Sequence, residues 1–215
     1  SNSGALSPVA EIVAIAHAAG ARAVVDIAQS VGIIPMNIAD WGADAVIGSC
    51  LKWLCGGPGA GFIVLHPDGI GTLDPLEKAW WSHAEPFAMD IRDFRPAPDA
   101  TRLWGGTPDI APFVLATAGI DTVAGIGVGA IRAHNQAMQA MARQAFGHRT
   151  GWRWPAGEIG GTLCMDVGSD RARVEAALTA MGAQADFRGS VMRLSFAAWN
   201  GPDDVEQVAR AVLTA

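Results

Sequence analysis

A lysine sits in the run Gly48-Ser49-Cys50-Leu51-Lys52-Trp53-Leu54-Cys55-Gly56-Gly57-Pro58-Gly59, between the apolar stretch Ala45-Val46-Ile47 and a glycine-rich turn. Held between Leu51 and Trp53, the amine is expected to be desolvated. That disfavours the ammonium form and makes the amine a nucleophile toward a carbonyl carbon. Upstream, a second apolar stretch ends in an acid, Ala23-Val24-Val25-Asp26. A lysine that condenses with an aldehyde and an acid that pairs with a pyridinium nitrogen, at the ends of neighbouring strands, are what a pyridoxal 5′-phosphate site requires. A phosphate-cradling P-loop is the rival reading. It fails because Lys52 precedes the glycines and no Ser or Thr follows it.

Other residues join this pair, each with a plainer alternative. Asp26 ends an apolar strand, where ligands gather in open α/β sheets, or it is a turn acid. Gln29 follows three residues later, reaching the same pocket or serving the turn. Trp80, Trp81 and His83 cluster in a long irregular stretch. They form an aromatic wall with a polar contact for a ring-bearing substrate, or they pack the loop onto a core or a partner. Gly105-Gly106-Thr107-Pro108 precedes a helix and offers an anion site at its start, or Thr107 is a simple N-cap. Arg193 lies within Val191-Met192-Arg193-Leu194-Ser195-Phe196. It clamps a carboxylate in bidentate fashion, or it forms an ion pair with Asp186.

Periodicity supplies the elements that position these groups. Helices are predicted over 8–19, 109–124, 128–146, 171–181 and 203–213, with a short helical turn at 38–41. Buried strands are predicted at 22–26, 44–49 and 61–65, and further strands at 162–167 and 191–196. The first three alternate with helices, which predicts an α/β fold with a mostly parallel sheet and helices on both faces. Residues 67–106 are irregular and rich in Pro, Asp and Trp, as a functional loop would be. Composition shifts to Gly, Trp and Pro between Thr150 and Gly161. This divides the chain into residues 1–150 and a small α+β domain at 151–215.

The 215 residues are half hydrophobic, only 17% charged, and carry a net charge of −6. Scattered Lys and Arg argue against nucleic acid, which needs a basic face. The apolar stretch 11–19 is too short to span a bilayer, and no signal peptide is visible. Three cysteines, Cys50, Cys55 and Cys164, form no even disulfide framework and read as reduced thiols of a cytoplasmic protein. The histidines stand apart and show no metal motif. The chain has no initiator Met and opens on a polar lead into Pro8-Val9-Ala10-Glu11-Ile12, already a helix start. The expectation is that the complete enzyme begins well before Ser1.

Taken in order, these segments resemble the class V branch of fold-type I pyridoxal phosphate enzymes, and within it the kynureninases. The matching stretches are Ala23-Val24-Val25-Asp26-Ile27-Ala28-Gln29-Ser30, Lys52-Trp53-Leu54-Cys55-Gly56-Gly57-Pro58-Gly59, Trp80-Trp81-Ser82-His83-Ala84-Glu85-Pro86-Phe87, Phe94-Arg95-Pro96-Ala97-Pro98, Gly106-Thr107-Pro108, Asp186-Phe187-Arg188 and Met192-Arg193-Leu194. The resemblance implies that residues 1–150 are the later portion of a cofactor-binding large domain plus connecting helices. It implies that Lys52 carries the cofactor and Asp26 pairs with its ring nitrogen, with Gln29 nearby. Trp80 and Thr107 contact the phosphate, Thr107 across a homodimer interface with a shared site. His83 and Trp81 lie at the substrate's aryl ring, and Arg193 holds the amino-acid carboxylate. The implied activity is hydrolysis of the Cβ–Cγ bond of L-kynurenine-type amino acids in tryptophan catabolism. Alternatives are another class V activity (aminotransferase, epimerase or desulfurase) or a non-catalytic remnant.

Three departures bear on this. Kynureninases usually carry His where this chain has Gln29, and Tyr where it has Leu51. The family's phosphate-cradling turn and its ring-stacking aromatic, which precede Asp26, are not matched here. This chain alone is therefore expected to be inactive.

Overall fold

The computed structural model describes residues 3–214 and resolves them into two compact bodies. The first comprises Pro8–Val31 and Met36–Val123. It holds α1 (Val9–Ala18), β1 (Val24–Asp26), β2 (Ala45–Ser49), β3 (Gly61–Leu65) and most of α2 (Ala111–Ile126). The order across its sheet is β1-β2-β3. β1 and β2 run parallel with Asp26 opposite Ile47, so both strands end at one edge of the sheet.

β3 departs from the parallel expectation and returns antiparallel to β2. The connection through Cys50–Ala60 is a glycine-rich turn with no helix, too short for a crossover. Strand alternation separates two faces. Val25, Val46 and Phe62 pack with Val13 of α1, Ile27 and Ala43 into a small core. The other face carries Val24, Ile47 and Ile63, exposed by 63%, 38% and 39%. Ala45 and Leu65 on that face are buried and Val64 on the core face is 42% exposed, so the expectation of fully buried strands holds only in part. β1 is also shorter than 22–26, since pairing with β2 begins at Val24.

The second body comprises residues 3–7, Gly32–Pro35 and 124–214. It contains α3 (Val128–Phe146), β4 (Thr162–Asp166), α4 (Arg171–Ala180), β5 (Asp186–Arg188), β6 (Val191–Ser195) and α5 (Pro202–Thr214). The sheet is antiparallel in the order β4-β6-β5. Leu163, Met165, Met192 and Leu194 share the face that joins Met138, Ala142 and Phe146 of α3, Val174 and Leu178 of α4, and Val205 and Val212 of α5. Val205, Ala209 and Val212 have the helical spacing that builds such a face. Asp204 caps α5 by accepting the Gly201 N–H at 3.0 Å, with Pro202 as first helical residue.

Three buried polar residues of α3 hold the entry to β4. Arg132 donates to the Ile159 and Gly160 carbonyls at 2.6 and 2.9 Å. Asn135 donates to those of Gly161 and Phe196, both at 2.9 Å, and Gln139 to that of Gly160 at 3.0 Å. Each otherwise costly buried donor thereby finds an acceptor. Among the described residues, no single helix is long and apolar enough to cross a membrane.

Candidate active site

Asp26 closes β1 at the sheet edge where β2 also ends. One carboxylate oxygen accepts the Ala28 N–H at 2.8 Å, which turns the chain away from the strand and leaves the other oxygen available. Lys52 stands just beyond β2 in a tight loop. The Gly56 N–H donates to the Cys50 carbonyl at 2.7 Å and the Cys55 N–H to the Lys52 carbonyl at 3.0 Å. Cys55 takes a positive φ of 54° to close it. The expected apolar clamp is not formed. Lys52 is exposed and Leu51 is 51% exposed, because the tight turn points both outward. The Lys52 amine has no hydrogen-bond or ion-pair partner among the described residues. Gln29, in the turn after Asp26, is exposed as well.

The loop is seated on α2 through glycines. A Cβ on Gly56 would stand 2.8 Å from Ala116 Cα, and one on Gly119 would stand 2.4 Å from the Leu54 carbonyl oxygen. Nothing larger fits at either position without moving backbone. Gly119 lies far from Lys52 in sequence, and the residue pattern gave no sign of this contact.

The long irregular stretch is more ordered than expected. It contains 3-10 turns at Pro67–Thr72, Trp80–Ser82 and Ala100–Leu103. A bridge pairs His83 with Pro96, the Ala97 N–H donates to the Ser82 carbonyl at 2.9 Å, and the Ala84 N–H to the Arg95 carbonyl at 2.7 Å. Trp80 and Trp81 meet edge to face at 4.6 Å between centroids, and Phe87 lies 5.7 and 6.2 Å from them. His83 is buried against Phe94, with Nδ1 engaged by the Glu85 backbone and Nε2 unpartnered.

Trp80 Nε1 lies 3.9 Å from where a Cβ on Gly106 would stand, so the structure brings the indole N–H beside Gly106, the residue before Thr107. Thr107 does not cap α2. The helix begins at Ala111, whose N–H is taken by Asp109 at 3.2 Å. Both helix-start readings of Thr107 therefore fall away, leaving an exposed Thr next in the chain to Gly106.

Arg193 belongs to the second body. Alternation puts it on the sheet face opposite the core, level with Cys164 of β4 and Asp186 of β5. Its guanidinium forms an ion pair with Asp186, and the side chain is 13% exposed with Nε unpartnered. Burial alone would raise the Asp186 carboxyl, but the Arg193 hydrogen bond and the charge of Arg188 hold it below the usual range. Burial pushes the Cys164 thiol up, opposed by a hydrogen bond from Arg193.

The donor set of the first body fits a pyridoxal phosphate group. It has a partner-free amine, a carboxylate at the same sheet edge, and an indole N–H that approaches Gly106, next in the chain to the Thr107 hydroxyl. The architecture is that of fold-type I pyridoxal phosphate enzymes. The cysteine desulfurase CsdA from Escherichia coli superposes with a TM-score of 0.85 at 20% identity, over 99% of this chain and 56% of that one. The chain belongs to the family described as Aminotransferase class-V, which it matches over residues 1–208. A kynureninase from Deinococcus radiodurans is 36% identical over 122 residues, 56% of this chain and 30% of that protein. An isopenicillin N epimerase from Streptomyces clavuligerus is 28% identical over 99% of this chain and 57% of its own length. The chain thus spans little more than half the length of the epimerase.

Proposed function

We propose that this chain forms part of a pyridoxal 5′-phosphate-dependent hydrolase of the kynureninase type. It would cleave the Cβ–Cγ bond of an aryl-ketone amino acid with water to give an anthranilate-type acid and L-alanine. The observation that carries the aryl preference is the wall of Trp80, Trp81 and Phe87 beside His83. When bound, the cofactor supplies an aldehyde for the substrate amine and a ring that accepts electron density. Lys52 would hold it and move the proton at the substrate Cα. Asp26 would hold the proton on the ring nitrogen. Gln29 contributes from the turn that follows. His83 and Trp81 bound the aryl ring, and Arg193 takes the α-carboxylate.

Trp80 and Thr107 donate to the phosphate. Because the Trp80 indole N–H approaches Gly106, which adjoins Thr107, both would serve the same phosphate group. A homodimer with a shared site is supported by the apolar outer face of α2, where Val114 and Leu115 are exposed.

A second reading within the family, epimerase or aminotransferase, is favoured by the epimerase likeness along nearly the whole chain. A desulfurase is less well supported, since Cys164 is buried inside β4 with its thiol pushed up. The test is to incubate the intact protein with cofactor and L-kynurenine and quantify anthranilate and alanine. Borohydride reduction and peptide mapping should place the cofactor on Lys52. Formation of keto acid or D-amino acid without anthranilate would overturn the hydrolase in favour of the second reading.

A further inference from the structure

Arg102 is buried, and no carboxylate pairs with it among the described residues. Its Nε donates to the Ala97 carbonyl at 2.9 Å and its Nη1 to the Ile70 carbonyl. A buried guanidinium satisfied by backbone carbonyls is an expensive arrangement, so what it fixes matters. Ala97 is itself buried and donates its N–H to the carbonyl of Ser82, which is fully buried between Trp81 and His83. Ser82 then closes the Trp80–Ser82 turn. Its hydroxyl donates to the Ala79 carbonyl at 2.8 Å and accepts the Ala79 N–H at 3.1 Å. On its other side Arg102 sits in the Ala100–Leu103 turn, capped by Asp99, which accepts the Thr101 N–H at 2.9 Å. The chain runs directly from that turn into Gly105-Gly106-Thr107. One side chain is thus tied to both segments that meet where Trp80 Nε1 approaches Gly106.

We infer that Arg102 is a positioning residue for the phosphate donors: it holds the Trp80 indole N–H beside Gly106, the residue next to Thr107, so that the two donors converge on one anion. This rests on the proposal that these two residues take the cofactor phosphate. Arg102 itself touches no ligand and acts through the Ala97–Ser82 pairing. Lysine can reach only one of the two carbonyls, so Arg102→Lys keeps the charge and loses the double tie.

The experiment compares the affinity of the intact protein for pyridoxal 5′-phosphate and for pyridoxal, which lacks the phosphate, by tryptophan fluorescence and by absorbance of the lysine adduct. Arg102→Lys should weaken pyridoxal 5′-phosphate binding by about tenfold or more, the scale of a lost charged hydrogen bond, and leave pyridoxal binding unchanged. Trp80→Phe, which removes the indole N–H and trims the ring but keeps an aromatic face toward Trp81 and Phe87, should show the same selectivity. The double variant should lose little beyond either single one, because both act on one contact. Equal weakening of both ligands, or additive losses, would overturn the positioning role. A wild-type protein that forms no adduct at Lys52 would instead sink the cofactor reading beneath it. Should Arg102→Lys fail to fold, Ser82→Ala cuts the same connection one step further along and must reproduce the phosphate-selective loss.

Discussion

Arg193 has one ion pair in place and one proposed contact still to make. Its ion pair with Asp186 is in place before any substrate arrives, and Asp186 is half exposed while Arg193 is not. A guanidinium presents five donors, so one carboxylate from β5 orients it without exhausting it. Its Nε is buried, so an arriving carboxylate would have to meet the small part of the guanidinium that stays exposed. Arg193→Lys should therefore lower kcat/KM for the amino acid by roughly thirtyfold, about 2 kcal/mol, mostly through KM. Asp186→Asn should have a smaller effect on KM, because orientation is loosened but the donor remains. Steady-state kinetics on the two variants, with a decarboxylated amine analogue as control, checks this. If both variants cost thermal stability equally and neither moves KM, Arg193 is only a partner of Asp186.

Among elements, the loop that carries Lys52 depends on α2 more than on its own sequence. The backbone from Leu54 to Gly56 lies directly on the helix at Ala116 and Gly119. Gly119→Ala forces a methyl group to within 2.4 Å of the Leu54 carbonyl oxygen, so loop or helix must shift. Overpacking of this kind costs about 1–3 kcal/mol. The expected outcome is a lower Tm together with slower borohydride-trapped labelling of Lys52. Gly125→Ala, on the same helix with open space at its Cβ, should leave labelling unchanged. Thermal melts and labelling rates on the two variants decide it.

The same contact shows what was legible in advance. Apolar runs ending in Asp26 and near Lys52 announced the strands and their polar ends, because burial forces composition. The helices of the second body were legible to within a residue or two, because their buried positions recur at helical spacing. Three features were not. β5 is three residues long with a charge at each end, and only β6 reveals it. Arg102 looks like a surface residue, since nothing in the residue pattern shows that the Ala97 carbonyl and the distant Ile70 carbonyl both receive it. The exposure of Lys52 contradicts its apolar neighbours, because the turn sends Leu51 outward with it.

Over the whole molecule, acid is where charge and fold are most tightly linked. In the second body, Asp166 is held at about 2, by a Ser190 hydrogen bond first, then by Arg153 and the Gly168 N–H at 3.0 Å. Asp170 is lowered by the Trp152 indole at 2.9 Å, and Asp204 by Asn200 and the Gly201 N–H. Asp186 shifts the same way. In the first body, Asp44 is lowered by the Ala23 N–H at 2.7 Å and by His17, and Asp99 by Thr101. A carboxyl depressed in the folded state binds fewer protons there than in the unfolded chain. Its stabilisation is complete above the ordinary value of 3.8 and is lost as pH falls toward about 2 for Asp166. Its partner Arg153 is 79% exposed, so solvent screens much of that pair's attraction. The second body, with four of these six acids, should loosen first. Tm measured between about pH 2 and pH 6 should fall steeply toward the acid end. Asp166→Asn should be less stable than the parent at neutral pH, with the gap closing as pH drops. A gap that stays constant across the range would show that Asp166 acts through packing and not through its charge.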